Sequence, residues 1–240
     1  MSNFMSGVFP ILSTPFDSND NIIFNDVQSE VEYAIDSGVS GIAIALASEI
    51  YKLTDSERDD LLKKVVNYSN NRIKVCMNTS AESTKMCVEY SKKAQDFGAD
   101  AVMIAPPAFG GIDSSEIKKY FINVAESIEI PIFMQDVFET PISPELAFEL
   151  SQANENLAYL KVEVPPTLPR FNKLKKIANG KFPIPFGGAG GLFMIEEMRR
   201  GSQGTMPVCA IPEMFVKVFD LWIEGKESQA EEYFHNYIPL

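Results

Sequence analysis

One pattern restricts the fold of this chain more than any single motif: a short β-prone apolar run followed by a stretch with apolar residues every three or four positions, repeated eight times. The runs are VFPILST (8–14), GIAIALA (41–47), IKVCMNT (73–79), AVMIAPP (101–107), PIFMQDV (131–137), AYLKVEV (158–164), FPIPFGG (182–188) and GTMPVCA (204–210). Between them lie segments of helical period such as FNDVQSEVEYAIDSG, TDSERDDLLKKVVNYS and PEMFVKVFDLWIEG. Start and stop signals frame several of these, with Thr54 three residues before Glu57, Pro144 directly after Ser143, and Gly38 and Gly98 placed to end helices. Near-continuous apolar strands separated by helices imply a parallel sheet buried on both faces. Eight βα units in a chain of 240 residues match a closed (β/α)8 TIM barrel in number and size. An open doubly wound sheet is the competing solution, but eight regular units without an inserted domain or linker favour closure. The chain therefore reads as a single barrel domain over residues 1–240.

The sixth run carries a lysine in apolar surroundings: NENLAYLKVEVPP spans residues 154–166, with Lys161 near its centre. Side chains alternate along a strand, so Lys161 and Glu163 share one face and Leu160 and Val162 the other, with Lys161 and Glu163 within about 7 Å of each other. If that first face is the barrel interior, Lys161 lies near the mouth formed by the strand C-termini, where active sites of this fold are built. Desolvation disfavours the charged form of an amine, and a neutral amine attacks carbonyl carbon to give a Schiff base. If the strand is rotated, Lys161 instead snorkels outward or ends the strand in water.

Composition narrows the chemistry available. With 33 Asp and Glu against 21 Lys and Arg, the net charge of −12 repels nucleic-acid phosphates and anionic membranes, so neither is an expected partner. No apolar run reaches the roughly 20 residues that span a bilayer, and the N-terminus has no basic region before an apolar stretch, which together read as a cytoplasmic protein. The one histidine, His235, lies in a polar C-terminal segment, leaving Ser-His, Cys-His and multi-imidazole zinc sites without their residues. No metal and no organic cofactor is expected. The three cysteines, Cys76, Cys87 and Cys209, read as reduced, mostly buried thiols, Cys76 and Cys209 within strand-like runs.

Taken in order, STPF (13–16), ASEIYKLTDSER (47–58), NTSAEST after the third run, APP (105–107), the lysine of LKVE, the glycines ending the seventh run and GTMPVCAIPE at the eighth resemble the dihydrodipicolinate synthase and N-acetylneuraminate lyase family. The resemblance runs from Gly7 almost to the C-terminus. It implies that Lys161 forms a Schiff base with a 2-oxo acid such as pyruvate, in a homo-oligomer, a dimer or tetramer. It also implies that residues 211–240 begin a C-terminal helical region longer in other members than here.

The chain departs from the family pattern at specific places. Where the family usually reads Gly-Thr-Thr-Gly-Glu, Ala45, Leu46, Ala47, Ser48 and Glu49 stand, and only Ser48 keeps a hydroxyl. The fifth strand, which in the family ends in a catalytic tyrosine and is followed by an arginine, here reads Gln135, Asp136, Val137, Phe138, Glu139 and Thr140. Lysine biosynthesis is accordingly not the expected role. Schiff-base chemistry still needs a proton carrier. Glu163 is the first candidate and Asp136 the second, with Gln135 able to orient; the ordinary alternatives are a charge partner for Lys161 and a turn cap.

Expected substrate contacts are the hydroxyls of Thr14, Ser48 and Thr79, the residue Ala47 beside them, and the amides at Gly187 and Gly188 in PFGGAGGLF, where absent Cβ atoms let an anion approach. The hydroxyls also read as caps, and the glycines as a tight turn. Two other functions remain open on these residues: a non-catalytic 2-oxo acid binding protein, and a phosphate-sugar enzyme using the glycine loop.

Overall fold

Proline decides where the first and last strands of this chain can pair regularly. A computed structural model describes residues 4–109 and 111–237. β1 (Gly7–Val8) and β8 (Gly204–Thr205) are only two residues long. The expected runs 8–14 and 204–210 each contain a proline, Pro10 and Pro207, which has no N–H to donate to a ladder. Pairing continues past both through carbonyls, as Ile11 N–H donates to Pro207 O at 2.8 Å and Ala43 N–H to Pro10 O at 2.9 Å. Cys209 consequently lies in a turn beyond β8 and not in a strand, although it is buried like Cys76 and Cys87.

The six full strands are β2 (Gly41–Ile44), β3 (Lys74–Asn78), β4 (Ala101–Ile104), β5 (Ile132–Gln135), β6 (Tyr159–Val162) and β7 (Ile184–Gly187). Among the described residues the eight strands form one parallel sheet in the order β1-β8-β7-β6-β5-β4-β3-β2. A parallel bridge between Ile11 and Ala43 joins the two ends of that order. The (β/α)8 barrel is the observed fold.

Helices α1 (Phe24–Asp36), α2 (Asp55–Ser69), α3 (Thr84–Asp96), α4 (Ser114–Ala125), α5 (Pro144–Ala153), α6 (Thr167–Ala178), α7 (Met194–Arg199) and α8 (Pro212–Ile223) follow their strands in turn. The Thr54–Glu57 capping box opens α2, and Ser143 caps α5 with Pro144 in its first turn, as their spacing implies. α8 completes the eighth unit and packs on β1, while α9 (Glu227–His235) packs on α8 and α7. The expected C-terminal region 211–240 thus divides into a barrel helix and one further helix, with residues 238–240 outside the described residues.

Two apolar cores result from the period-2 alternation of the strands. One lies between strands and helices and takes Val75, Met77, Val102, Ile132, Met134, Leu160 and Val162. The other fills the barrel with Phe9, Phe133, Tyr159 and Phe186 beside Cys76, Ala101 and Met103. Phe133 stacks on Tyr159 at 4.4 Å between ring centroids and meets Phe186 edge-on at 5.1 Å. This aromatic plug closes the lumen below the mouth. No helix among the described residues is long and apolar enough to cross a membrane.

Candidate active site

Strand parity places the lysine. Tyr159 belongs to the barrel interior, Leu160 and Val162 to the outer core, so Lys161 points inward one layer above the aromatic plug. Only 3% of Lys161 is exposed. In register with it stand Gln135 on β5 and Phe186 on β7.

The Lys161 ammonium nitrogen lies 3.1 Å from Glu163 Oε1, just past the end of β6. Glu163 Oε2 accepts a hydrogen bond from Gln135 Nε2 at 2.9 Å, and Ala189 N–H, in the loop after β7, donates to Oε1 at 3.3 Å. Gln135 Oε1 accepts from Asn78 Nδ2 at 3.0 Å, and Asn78 Oδ1 accepts from Ser80 N–H at 3.0 Å. A carboxylate only accepts, which fixes the polarity of this row: Gln135 must turn its NH2 to Glu163 and its carbonyl to Asn78. Four strand ends are thereby tied to one carboxylate. The arrangement lets Glu163 take a proton from the Lys161 ammonium and return it to an atom bound beside the amine.

Backbone approach explains the glycine at Gly188, where a Cβ atom would fall 2.1 Å from Glu163 Cγ. Gly187 faces the other way, its Cβ position 2.0 Å from Glu197 Oε2 on α7. Of the two glycines expected at the substrate, Gly188 borders the site and Gly187 packs against a helix.

Asp136 is set apart from the lysine. It follows inward-facing Gln135 and so points outward, where Oδ1 accepts from Arg170 at 2.7 Å and from Ile142 N–H at 2.8 Å. Arg170 also donates to Ile142 O at 2.5 Å. Burial pushes the Asp136 carboxyl up from its ordinary range, with Arg170 and the amides opposing. Asp136, expected as the second proton carrier or as a turn cap, faces away from Lys161 by this parity and clamps the loop after β5 to α6.

The hydroxyl contacts also come out differently. Ser48 Oγ donates to Leu12 O at 2.5 Å and accepts from Ala45 N–H at 3.0 Å, and Thr14 Oγ1 donates to Ser48 O at 2.6 Å. Both protons are committed to tying the end of β2 to the segment after β1. Thr79 lies on the outer face, 2.8 Å from Ser91 Oγ on α3. Ala47 is exposed in the middle of a 3-10 turn, Leu46–Ser48, that starts beyond β2. The first N–H groups of such a turn have no partner within it, so backbone and not hydroxyls offers donors there.

Asn78 is the site residue the sequence reading missed, having chosen its neighbour Thr79. Val75 and Met77, both large and apolar, mark the outer face of β3, which leaves Cys76 and Asn78 inside. The same alternation around Ile132 and Met134 separates Gln135 from Asp136. Glu197 was likewise not singled out: it is 1% exposed, accepts from Thr167 Oγ1 at 3.1 Å, and leaves Oε2 without a partner. Burial, then the charges of Glu196 and Glu163, push its carboxyl up to about 7. Among the described residues no three His, Cys, Asp or Glu side chains converge as metal ligands do.

Comparison with known proteins finds relatives of the same fold over nearly the whole chain. A curated L-2-keto-3-deoxyarabonate dehydratase from Azospirillum brasilense is 28% identical over 98% of this chain and 78% of its own length. The 4-hydroxy-tetrahydrodipicolinate synthase of Methanocaldococcus jannaschii is 29% identical over 98% of this chain and 81% of its own. The crystal structure of dihydrodipicolinate synthase from Rhodopseudomonas palustris superposes with a TM-score of 0.88 at 26% identity, covering 98% of this chain and 80% of that one. The family model described as the Dihydrodipicolinate synthetase family matches residues 4–240. A barrel with one buried lysine at its mouth and a family match over nearly its whole length make this chain a member of the Dihydrodipicolinate synthetase family.

Proposed function

We propose that the protein is a lyase whose Lys161 forms a Schiff base with a 2-oxo acid, opening the way to C–C cleavage, aldol addition or dehydration without a metal or organic cofactor. The observation that carries this reading is the inward, buried Lys161 ammonium held 3.1 Å from the Glu163 carboxylate. Proton transfer from Nζ to Glu163 frees the amine, which attacks the C2 carbonyl carbon. Glu163 then gives its proton to the departing hydroxyl, water leaves, and a protonated imine remains. That imine draws electrons from C3, so Glu163 as carboxylate can remove a C3 proton and generate the enamine.

Gln135 stands where the family usually has its tyrosine, and an amide does not ionise at working pH. Its part is to hold Glu163, which concentrates proton transfer on one carboxylate. The substrate carboxylate is assigned to the leading amides of the turn Leu46–Ser48, while Gly188 leaves room for the Glu163 side chain. A neutral, hydroxylated body suits the Asn78–Gln135–Glu163 row better than a second carboxylate, because Arg170 is spent on Asp136. We further assign the protein to the cytoplasm and to a homo-oligomer, in line with exposed Phe109 and Phe138 on the mouth loops.

The test is exchange of C3 protons in D2O, followed by NMR with pyruvate and with 3-deoxy-2-oxo sugar acids. Wild type should exchange at least one of them, Lys161→Arg none, and Glu163→Gln at a rate lowered by 10²-fold or more. Tight binding of these acids with no exchange favours the non-catalytic reading, which the loss of the tyrosine motivates.

A further inference from the structure

The end of the barrel opposite Lys161 carries a feature that imine chemistry does not use. Between the C-terminal ends of α6 and α7 and the start of β7 lies a cleft of about 380 Å³. Its lining includes Lys175, Lys181 and Arg200, the amides of Asn179 and Gln203, and no carboxylate. None of the three cations takes part in an ion pair among the described residues, although most exposed acids of the neighbouring helices do. Arg200 donates from Nη1 to Glu196 O at 2.7 Å, while its buried Nε has no partner. In a chain of net charge −12, three unmatched cations around one concavity form a local field of the opposite sign. Like charges brought together repel, and an anion among them relieves that repulsion while collecting donors from lysine, guanidinium and amide groups. Ala178, Pro183 and Pro185 give the same cleft an apolar wall.

We propose that this cleft binds a small organic anion with two or more negative charges, a polycarboxylate or a phosphate ester. The lysines address the charge, the proline wall accepts a carbon body, and the position is remote from the mouth, so binding does not compete with a 2-oxo acid. Lys175, in the last turn of α6, also complements the helix dipole, and that role needs no ligand.

The experiment titrates wild type with citrate and, separately, inorganic pyrophosphate at constant ionic strength, reading affinity by calorimetry and melting temperature by fluorescence. Two variants of equal charge change are compared: Lys175→Ala/Lys181→Ala in the cleft and Lys85→Ala/Lys92→Ala on α3, all exposed positions. Expected are saturable binding to at least one probe with a raised melting temperature, Kd weakened 10-fold or more in the cleft variant, and little change in the α3 variant. The probe that binds tells polycarboxylate from phosphate. No saturable binding to either probe, or equal weakening in both variants, overturns the proposal.

Discussion

Glu163 grips Lys161 with one carboxylate oxygen and Gln135 with the other, so small displacements of this side chain reach the amine directly. Gly188→Ala tests that, because a methyl group 2.1 Å from Glu163 Cγ forces the carboxylate aside. The expected outcome is a C3 exchange rate lowered at least 10-fold, with far-UV circular dichroism unchanged. Behind the same glycine pair, Glu197 offers a pH signature. Its carboxyl is raised from 4.5 to about 7 in the folded protein, so the native state binds the extra proton between those values. Stability must therefore fall as pH rises through that window, and the penalty is complete above the folded value. Glu197→Gln removes it. Urea unfolding should show the variant gaining on wild type between pH 5 and pH 8, by up to about 3 kcal/mol; a constant difference across that range contradicts a neutral Glu197.

At the scale of elements, β5 shows how one residue of register separates chemistry from architecture: Gln135 enters the site and Asp136 leaves it for Arg170. Removing the cation should strand a fully buried carboxylate. Arg170→Met is expected to cost about 3 kcal/mol at pH 8, measured by urea unfolding, and less at pH 5, where a carboxyl already raised by burial is more readily protonated. The alternation of apolar runs with helical periods made the eight units, the helix caps and the parity of Lys161 with Glu163 legible in the sequence. Parity on the other strands was equally present there, in Val75 and Met77 or Ile132 and Met134, yet motif position drew the reading to Thr79 and Asp136. Strand lengths at β1 and β8 were overestimated because apolar content persists where Pro10 and Pro207 remove ladder donors. What no local pattern carries is the cross-strand row Asn78–Gln135–Glu163, since three side chains far apart in sequence meet only when the barrel closes.

Over the whole molecule, the aromatic plug seals one side of the lysine and leaves the loops at the strand C-termini as the route of access. Those loops carry Phe109 and Phe138, 88% and 78% exposed. Large aromatic side chains left exposed mark association surfaces. Light scattering coupled to gel filtration should give a mass of two or more chains for wild type, lowered in Phe109→Glu/Phe138→Glu; a monomer in both contradicts the assembly proposed here. Every step of the catalytic proposal, however, passes through Nζ of Lys161. Borohydride reduction in the presence of pyruvate or a 3-deoxy-2-oxo sugar acid, followed by peptide mapping, asks directly which nitrogen becomes covalently linked. The account predicts a single reduced adduct on the peptide containing Lys161, absent without the acid. Label spread over surface lysines, or none on that peptide with any of these acids, contradicts it.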